Sequence, residues 1–327
     1  MGKKIVFLGM GGTIAGKAAN PADNVGYKAA QVGVADLLSA VPALEASLGA
    51  MTAVAEQVAQ IDSKDMHSAA WRMLAYRAAH HLAQPDVAGV VVTHGTDTLE
   101  ETAFFLAQVL PEALRESKPV VLTCAMRPAS SQAPDGPQNM ADATAVACTP
   151  GARGVMAVCA GVIHDAVHLR KVHPYRLDPF ESGEAGPLGF VEEGRVRLLH
   201  GWALSQPAAA TLEALAQPEW PRVEVVASHA GASGAGVRSM VAHPGDALVR
   251  GIVVAGTGNG SLHQDLEAAL LEVQAQGVRV LRGTRCVEGP IVGHPRGAGT
   301  GLPVTLLDPI KARIALMLSL LATDANA

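Results

Sequence analysis

The sequence predicts an α/β protein with two domains, a larger N-terminal one with a parallel or mixed sheet flanked by helices and a smaller C-terminal one with a parallel sheet. At 327 residues the chain exceeds the usual size of a single core. Short apolar runs alternate with longer alanine- and leucine-rich stretches, a pattern typical of parallel strands joined by helices. The runs are almost continuously apolar, which indicates strands covered on both faces. They lie at residues 5–8, 90–93, 120–124, 155–159, 223–227, 252–255 and 278–281.

This alternation breaks between about residues 192 and 222. An apparent hairpin is followed there by a stretch rich in proline and alanine, which is typical of an interdomain linker. We therefore expect an N-terminal α/β domain at residues 1–191, a linker at 192–222 and a C-terminal α/β domain at 223–327.

Composition argues against several classes of protein. Hydrophobic residues make up 49% of the chain and charged residues 17%, without an apolar run long enough for a membrane helix, so we expect a soluble protein without a membrane partner. A net charge of −5 and the lack of a basic stripe argue against nucleic acid as a partner. The four cysteines form no CxxC pair, which argues against a disulfide framework and a structural zinc site. The apolar run at 5–8 is too short for a signal peptide, so a cytoplasmic location is expected.

Parallel sheets bind ligands beyond the carboxyl ends of their strands, and a glycine-rich segment follows the first run. Its sequence GGTIAGK at 11–17 matches most of a phosphate-binding loop, but Ala18 stands where a Ser or Thr should hold magnesium. Ile14 likewise replaces the third glycine of a dinucleotide motif. The bare glycines beside Thr13 leave room for a substrate to reach its hydroxyl, which favours a threonine nucleophile over a purely structural turn.

A second polar segment, HGTDTLEETA at 94–103, closes and follows the next run. Thr98 and Glu101 have the spacing of a capping box at the start of a helix. That explanation does not require Thr96 and Asp97, a hydroxyl and a carboxylate left in the preceding loop. We therefore expect these two side chains to have a functional role.

Histidines do not complete a metal site in this sequence. The segment His164 to His168 resembles the zinc-binding HExxH motif with Asp in place of Glu, but it follows a strand run closely and has no clear third ligand. Surface or hydrogen-bonded histidines are the simpler interpretation, and His94 is also interpreted as a hydrogen-bonded residue. No metal and no organic cofactor is predicted.

Taken together, GGTIAG at 11–16 and HGTDTLEETA at 94–103 resemble the two signature motifs of the bacterial-type L-asparaginases. Their order and separation carry the resemblance, and further matches extend it over nearly the whole chain. These are Tyr27 with QVGV at 31–34, DS at 62–63, AMRP at 125–128, DGP at 135–137, GPLGF at 186–190, GTGNGS at 256–261 and DPIKAR at 308–313.

The resemblance implies an amidohydrolase with two groups of catalytic residues. Thr13 would attack the side-chain amide of the substrate while Tyr27, on a mobile loop, assists its proton. Thr96, Asp97 and Lys171 would form the second group, with Lys171 placed by its spacing ahead of GPLGF. Which threonine is acylated stays open from the residues alone, and the resemblance favours Thr13.

The implied substrate is L-asparagine, with L-glutamine as the alternative. Ser63 and neighbouring backbone would bind its α-carboxylate, and Asp62 and Asp97 would attract its α-ammonium group. Thr96 and Ala125 complete the expected substrate-binding set. One methylene separates the two amides, which is worth about 1–3 kcal/mol in a binding pocket.

Three positions depart from the family pattern. Lys64 stands where Gln or Glu is common, and Ser261 fills a place that is Asn in some members. The family brings an acidic residue from a neighbouring subunit to the substrate, and an ungapped comparison places Arg296 there, with Glu288 nearby. The family implies a homotetramer. A glutaminase-asparaginase, another small-amide hydrolase, a non-catalytic amino-acid sensor and a nucleotide-binding protein are the alternatives.

Overall fold

The computed structural model describes residues 2–42, 44–203, 208–243, 245, 247–293 and 301–325. The chain divides into two units, Met1–Ala208 and Ala209–Ala327. Strands of the first unit are β1 (Lys4–Gly11), β2 (Lys17–Ala18), β3 (Tyr27–Lys28), β4 (Thr52–Ile61), β5 (Val87–Thr93), β6 (Pro119–Thr123), β7 (Gly154–Cys159), β8 (Val162–Asp165), β9 (Arg170–Lys171), β10 (Phe180–Glu181), β11 (Gly189–Glu192) and β12 (Arg195–Leu198). Its helices are α1 (Val34–Ser39), α2 (Leu44–Leu48), α3 (Ser68–Leu82), α4 (Leu99–Val109), α5 (Glu112–Arg115) and α6 (Gly136–Cys148).

Eight of these strands form one mixed sheet in the order β12-β11-β8-β7-β6-β5-β1-β4. The five strands from β4 to β7 pair in parallel, and β8, β11 and β12 continue the sheet as antiparallel strands. Ile5 and Phe7 on β1 belong to a core cluster with residues of α1, α2 and α6. Val6 and Leu8, which alternate with them, are also fully buried, so this strand is covered on both faces.

The second unit contains a three-stranded parallel sheet in the order β13-β14-β15. Its strands are β13 (Arg222–Ala227), β14 (Val249–Gly256) and β15 (Arg279–Thr284), and its helices are α7 (Ala235–Ala242), α8 (Gln264–Ala275) and α9 (Pro309–Ala325). Ile252 and Val254 on β14 pack with Leu266 and Leu270 on α8. The predicted two-domain α/β fold is therefore confirmed, with a larger mixed sheet and a smaller parallel one.

All seven apolar runs of the sequence lie in strands to within one residue at either end, namely β1, β5, β6 and β7 in the first unit and β13, β14 and β15 in the second. Residues 192–222, interpreted above as a linker, include β12, which pairs with β11 in the large sheet. The described part of the chain has no helix that is both long and apolar enough to cross a membrane.

Candidate active site

Thr13 lies directly beyond the carboxyl end of β1, at the start of a single 3-10 turn, Thr13–Ala15. The two glycines before it, Gly11 and Gly12, have φ angles of 96° and 80°, which a residue with a side chain rarely adopts. The Gly12 N–H donates to the carbonyl of Ile61 at 2.9 Å, which ties this loop to β4. The glycines thus turn the chain sharply at the strand end and present the Thr13 hydroxyl there.

Tyr27 is the hydrogen-bond partner of Thr13. The Tyr27 Oη lies 2.6 Å from Thr13 Oγ1. Tyr27 is held by β3, which pairs with β2 so that Ala18 faces it, and its ring crosses Gly16, where an added Cβ would lie 2.8 Å from a ring carbon. Burial raises the pKa of the Tyr27 phenol above its usual 10.0, and the charges of Asp62 and Asp97 act in the same direction.

The segment that carries Tyr27 is fastened to a distant loop. The N–H of Ala18 donates to Ser130 Oγ at 2.8 Å, and the hydroxyl of Ser131 donates to Asn24 Oδ1 at 2.7 Å. Gln132 adds a backbone bond to the carbonyl of Pro21, of 3.1 Å. These bonds hold the loop between β2 and β3 in place, and the position of Tyr27 depends on that loop. No motif or spacing in the sequence predicts these bonds.

Thr96, Asp97 and Lys171 come together as a second group. The Lys171 ammonium donates to Thr96 Oγ1 at 2.9 Å and to Asp97 Oδ1 at 2.6 Å. Thr96 is buried, whereas the Asp97 side chain is 54% exposed and that of Lys171 only 17%. Thr96 and Asp97 follow β5 in the loop that leads into α4, and Lys171 is on β9.

The two groups meet through their backbones. Since β1 and β5 are neighbouring parallel strands, the loops that follow them emerge at one edge of the sheet. A Cβ added to Gly12 would lie 2.3 Å from Gly95 Cα, and one added to Gly95 would lie 2.4 Å from Ser63 Oγ. The loops bearing Thr13 and Thr96 are therefore in direct contact. A side chain on Gly12 would displace the Thr96 loop, and one on Gly95 would displace Ser63.

Ser63 and Asp62 follow β4 beside this contact. The Ser63 Oγ accepts the N–H of Asp97 at 3.2 Å, and the Ser63 carbonyl accepts the hydroxyl of Thr98 at 2.7 Å. That bond differs from the expected capping box, since the Thr98 hydroxyl caps no N–H of its own helix. Lys64 is exposed and forms an ion pair with Asp65 at 2.5 Å.

The remaining residues of the expected substrate-binding set differ in accessibility. Asp62 is half-buried, and its carboxylate accepts the Lys64 N–H at 3.4 Å. Ala125 is fully buried, 3.4 Å from where a Cβ on Gly136 would lie. Any contribution of Ala125 to a pocket would therefore be to its supporting wall.

A chain of buried, hydrogen-bonded side chains ends at the Gly95 carbonyl. The Trp71 Nε1–H donates to Thr102 Oγ1 at 2.9 Å. The same Thr102 oxygen lies 3.0 Å from His94 Nε2, and the other ring nitrogen, His94 Nδ1, lies 2.7 Å from the Gly95 carbonyl oxygen. A carbonyl only accepts, so Nδ1 carries the proton and Nε2 accepts from Thr102. Burial lowers the pKa of His94 to about 4, so the ring is neutral at neutral pH, with a structural role as a hydrogen-bonded histidine.

The other histidine motif does not gather metal ligands. His164 is buried on β8, where its Nδ1 lies 2.8 Å from Ser182 Oγ, and His168 Nδ1 lies 3.3 Å from Asp165 Oδ1. Among the described residues, no group of three or more His, Cys, Asp or Glu side chains could hold a metal ion. In the second unit, Ser261 and Glu288 are exposed, and Arg296 lies outside the described residues.

Family models match almost the whole chain. The model described as "Asparaginase, N-terminal" matches residues 4–203, and that of the "Glutaminase/Asparaginase C-terminal domain" matches residues 222–327. The chain belongs to the asparaginase family. Both of its signature segments, with Thr13 and Thr96, lie within the first of these matches.

Individual members of the asparaginase family agree with this assignment. The glutaminase-asparaginase of Pseudomonas fluorescens biotype A is 33% identical over 326 residues, which cover 98% of this chain and 87% of the relative. L-asparaginase 2 of Escherichia coli strain K12 is 33% identical over 324 residues, 98% of this chain and 89% of that protein. The crystal structure of a probable cytoplasmic L-asparaginase from Campylobacter jejuni superposes with a TM-score of 0.87 at 33% identity, covering 97% and 95% of the two chains.

Proposed function

We propose that the chain is an L-asparaginase that hydrolyses the side-chain amide of L-asparagine to L-aspartate and ammonia, with Thr13 as the nucleophile. The observation that carries this proposal is the convergence of the Thr13–Tyr27 pair with the Thr96–Asp97–Lys171 group at one sheet edge. Family membership and relatives named L-asparaginase and glutaminase-asparaginase support it.

In the first half of the proposed reaction, Thr13 Oγ1 bonds to the amide carbon and the carbon–nitrogen bond then breaks. Because burial raises its pKa, Tyr27 is a neutral phenol at neutral pH. It can take the proton of Thr13 only as it passes its own proton on. The phenol therefore acts as a relay that delivers the proton to the leaving nitrogen, which departs as ammonia.

The second group would govern the other proton and the oxyanion. Thr96 Oγ1 accepts from the Lys171 ammonium, so its own O–H is directed away from the lysine and can bond to substrate or water. His94 holds the Gly95 carbonyl, and in a trans peptide the following N–H, that of Thr96, points the opposite way. We assign stabilisation of the oxyanion to that N–H, and water would then release aspartate from Thr13.

Substrate recognition would use the residues beyond β4. The Ser63 hydroxyl accepts from Asp97 N–H and keeps its own proton for the substrate α-carboxylate. Asp62 and Asp97 supply negative charge for the α-ammonium group, while Ala125 supports the wall. Glutamine hydrolysis is the alternative activity, since the two amides differ by one methylene, worth about 1–3 kcal/mol.

Ammonia release from asparagine, glutamine and related amides tests the proposal. We expect Thr13→Ala and Thr96→Val each to lower kcat by at least about 10³-fold with the fold intact. Thr323→Ala and Thr323→Val are matched controls, because Thr323 is exposed on α9 and its hydroxyl donates to the carbonyl of Ser319 in the same helix. Near-normal turnover in either site variant would remove that threonine from the mechanism.

Two further properties belong to the proposal. The family implies a homotetramer, which light scattering of the purified protein would test. A cytoplasmic location is proposed because the similar protein of Campylobacter jejuni is described as a probable cytoplasmic L-asparaginase. Cell fractionation would test this location, and recovery of the protein outside the cytoplasmic fraction would contradict it.

A further inference from the structure

The proposed catalytic lysine is carried by a peripheral element. Lys171 belongs to β9, a two-residue strand whose partner is β10, and this pair is separate from the eight-stranded sheet. A lysine side chain has four rotatable bonds, so the place of its ammonium depends on how firmly its backbone is held. The ladder of the large sheet does not supply that hold.

The backbone of Lys171 is bound instead by a side chain of another element. The Lys171 N–H donates to the carboxylate Oε2 of Glu100, in the first turn of α4. The next residue, Val172, donates its N–H to the carbonyl of Pro179 at 2.8 Å, which closes the hairpin on itself. The Val172 N–H therefore bonds within the hairpin, whereas the N–H of the neighbouring Lys171 bonds outside it, to Glu100.

One short segment therefore binds both ends of the lysine. Thr96 and Asp97 accept from its ammonium, and Glu100, three residues after Asp97, accepts from its backbone N–H. We propose that Glu100 is a positioning residue that holds the Lys171 backbone at the distance at which its ammonium reaches Thr96 and Asp97. This inference rests on the proposed function of Lys171.

A second explanation of Glu100 makes different predictions. A carboxylate in the first turn of a helix interacts favourably with the helix dipole, and that effect depends on charge. Positioning depends instead on the reach of the side chain, since the acceptor must meet one N–H. Glu100→Gln keeps the reach and an acceptor oxygen but loses the charge, whereas Glu100→Asp keeps the charge and loses one methylene of reach.

Steady-state ammonia release from asparagine separates the two explanations. For Glu100→Asp and Glu100→Ala we expect kcat to fall by about 10- to 100-fold, as for a catalytic group displaced by about 1 Å, with KM changed by no more than about threefold. Glu100→Gln should retain kcat to within about threefold. The control Glu112→Gln, which removes an exposed carboxylate from the first turn of α5, should leave kcat unchanged.

The reverse order, with Glu100→Asp active and Glu100→Gln impaired, would overturn the proposal, and so would equal kcat in all variants. If Glu100→Ala does not fold, the Asp and Gln variants still decide the matter. A wild-type chain that releases no ammonia from asparagine would contradict the proposed function instead.

A readout independent of the substrate keeps the two failures distinct. Limited acetylation with acetic anhydride, followed by mass spectrometry of each lysine, measures how freely Lys171 reacts relative to the exposed Lys28. In Glu100→Asp the Lys171 ammonium should be released from its hydrogen bonds and be acetylated at least about threefold faster than in the wild type. In Glu100→Gln it should be acetylated at the wild-type rate. Unchanged acetylation of Lys171 in Glu100→Asp would overturn the positioning role.

Discussion

The contact between Gly12 and Gly95 allows a quantitative prediction for Gly12→Ala. Gly12 has φ 80° and ψ −169°, a region of backbone space that is essentially restricted to glycine. Holding alanine there costs about 1–3 kcal/mol. The new methyl carbon would also lie 2.3 Å from Gly95 Cα, so the two loops must separate by about 1.1 Å to reach an ordinary contact of 3.4 Å.

Both terms lead to measurable losses. Backbone strain together with overpacking should lower the free energy of unfolding by about 2–5 kcal/mol. A separation of about 1 Å between the Thr13 and Thr96 loops should lower kcat/KM for asparagine by about 100-fold. Urea unfolding and ammonia release measure the two quantities on the same preparation.

Gly236→Ala is the matched control for this substitution. Gly236 lies in α7 with nothing within 4 Å of an added Cβ, so alanine should stabilise the helix by up to about 1 kcal/mol and leave activity unchanged. A Gly12→Ala variant with the wild-type kcat/KM to within about twofold and the wild-type stability to within about 0.5 kcal/mol would refute a role for this loop contact in either property.

Two further predictions concern the tyrosine segment and the buried histidines. Ser131→Ala removes the 2.7 Å bond to Asn24 and should lower kcat/KM by about 2- to 10-fold, the value of one hydrogen bond. The control Ser117→Ala, which removes an exposed hydroxyl, should leave kcat/KM unchanged. Equal kcat/KM in the two variants would contradict the role of Ser131 in holding the tyrosine segment. Burial lowers the pKa of His94 and His164 from 6.5 to about 4, so the folded chain binds fewer protons than the unfolded one. The stability that depends on these two neutral histidines should therefore be complete above about pH 6.5, and the free energy of unfolding should decrease as the pH falls toward 4. Urea titrations across this pH range measure the decrease, and a constant free energy of unfolding would contradict it.

The fold was predictable where burial leaves a strong local signal. The run at 90–93 lies in β5, which is buried along most of its length and reads as a continuous apolar segment. β4 has ten residues but was not predicted, because it is one of the two edge strands of its sheet and most of its side chains are exposed. Its alanines and glutamines carry neither an apolar run nor a clear alternation.

The site was predictable only in part. Thr13 and Thr96 stand beside glycines at strand ends, which is a local signal, whereas Lys171 lies on a two-residue strand and was found through family resemblance alone. The contact between Ser131 and Asn24 joins residues 107 positions apart and has no local signature. Such contacts arise from tertiary packing, which a pattern of residue types does not contain.

The Trp71 chain gives the protein a built-in optical reporter. The indole of Trp71 is buried, stacks on Phe105 at 4.8 Å and is linked by hydrogen bonds through Thr102 and His94 to the Gly95 carbonyl. The other two tryptophans, at 202 and 220, are partly exposed, so their emission is open to quenchers in solution. Fluorescence that survives such quenching comes from the indole beneath the Thr96 loop, and its changes would follow rearrangements of that loop without any added label.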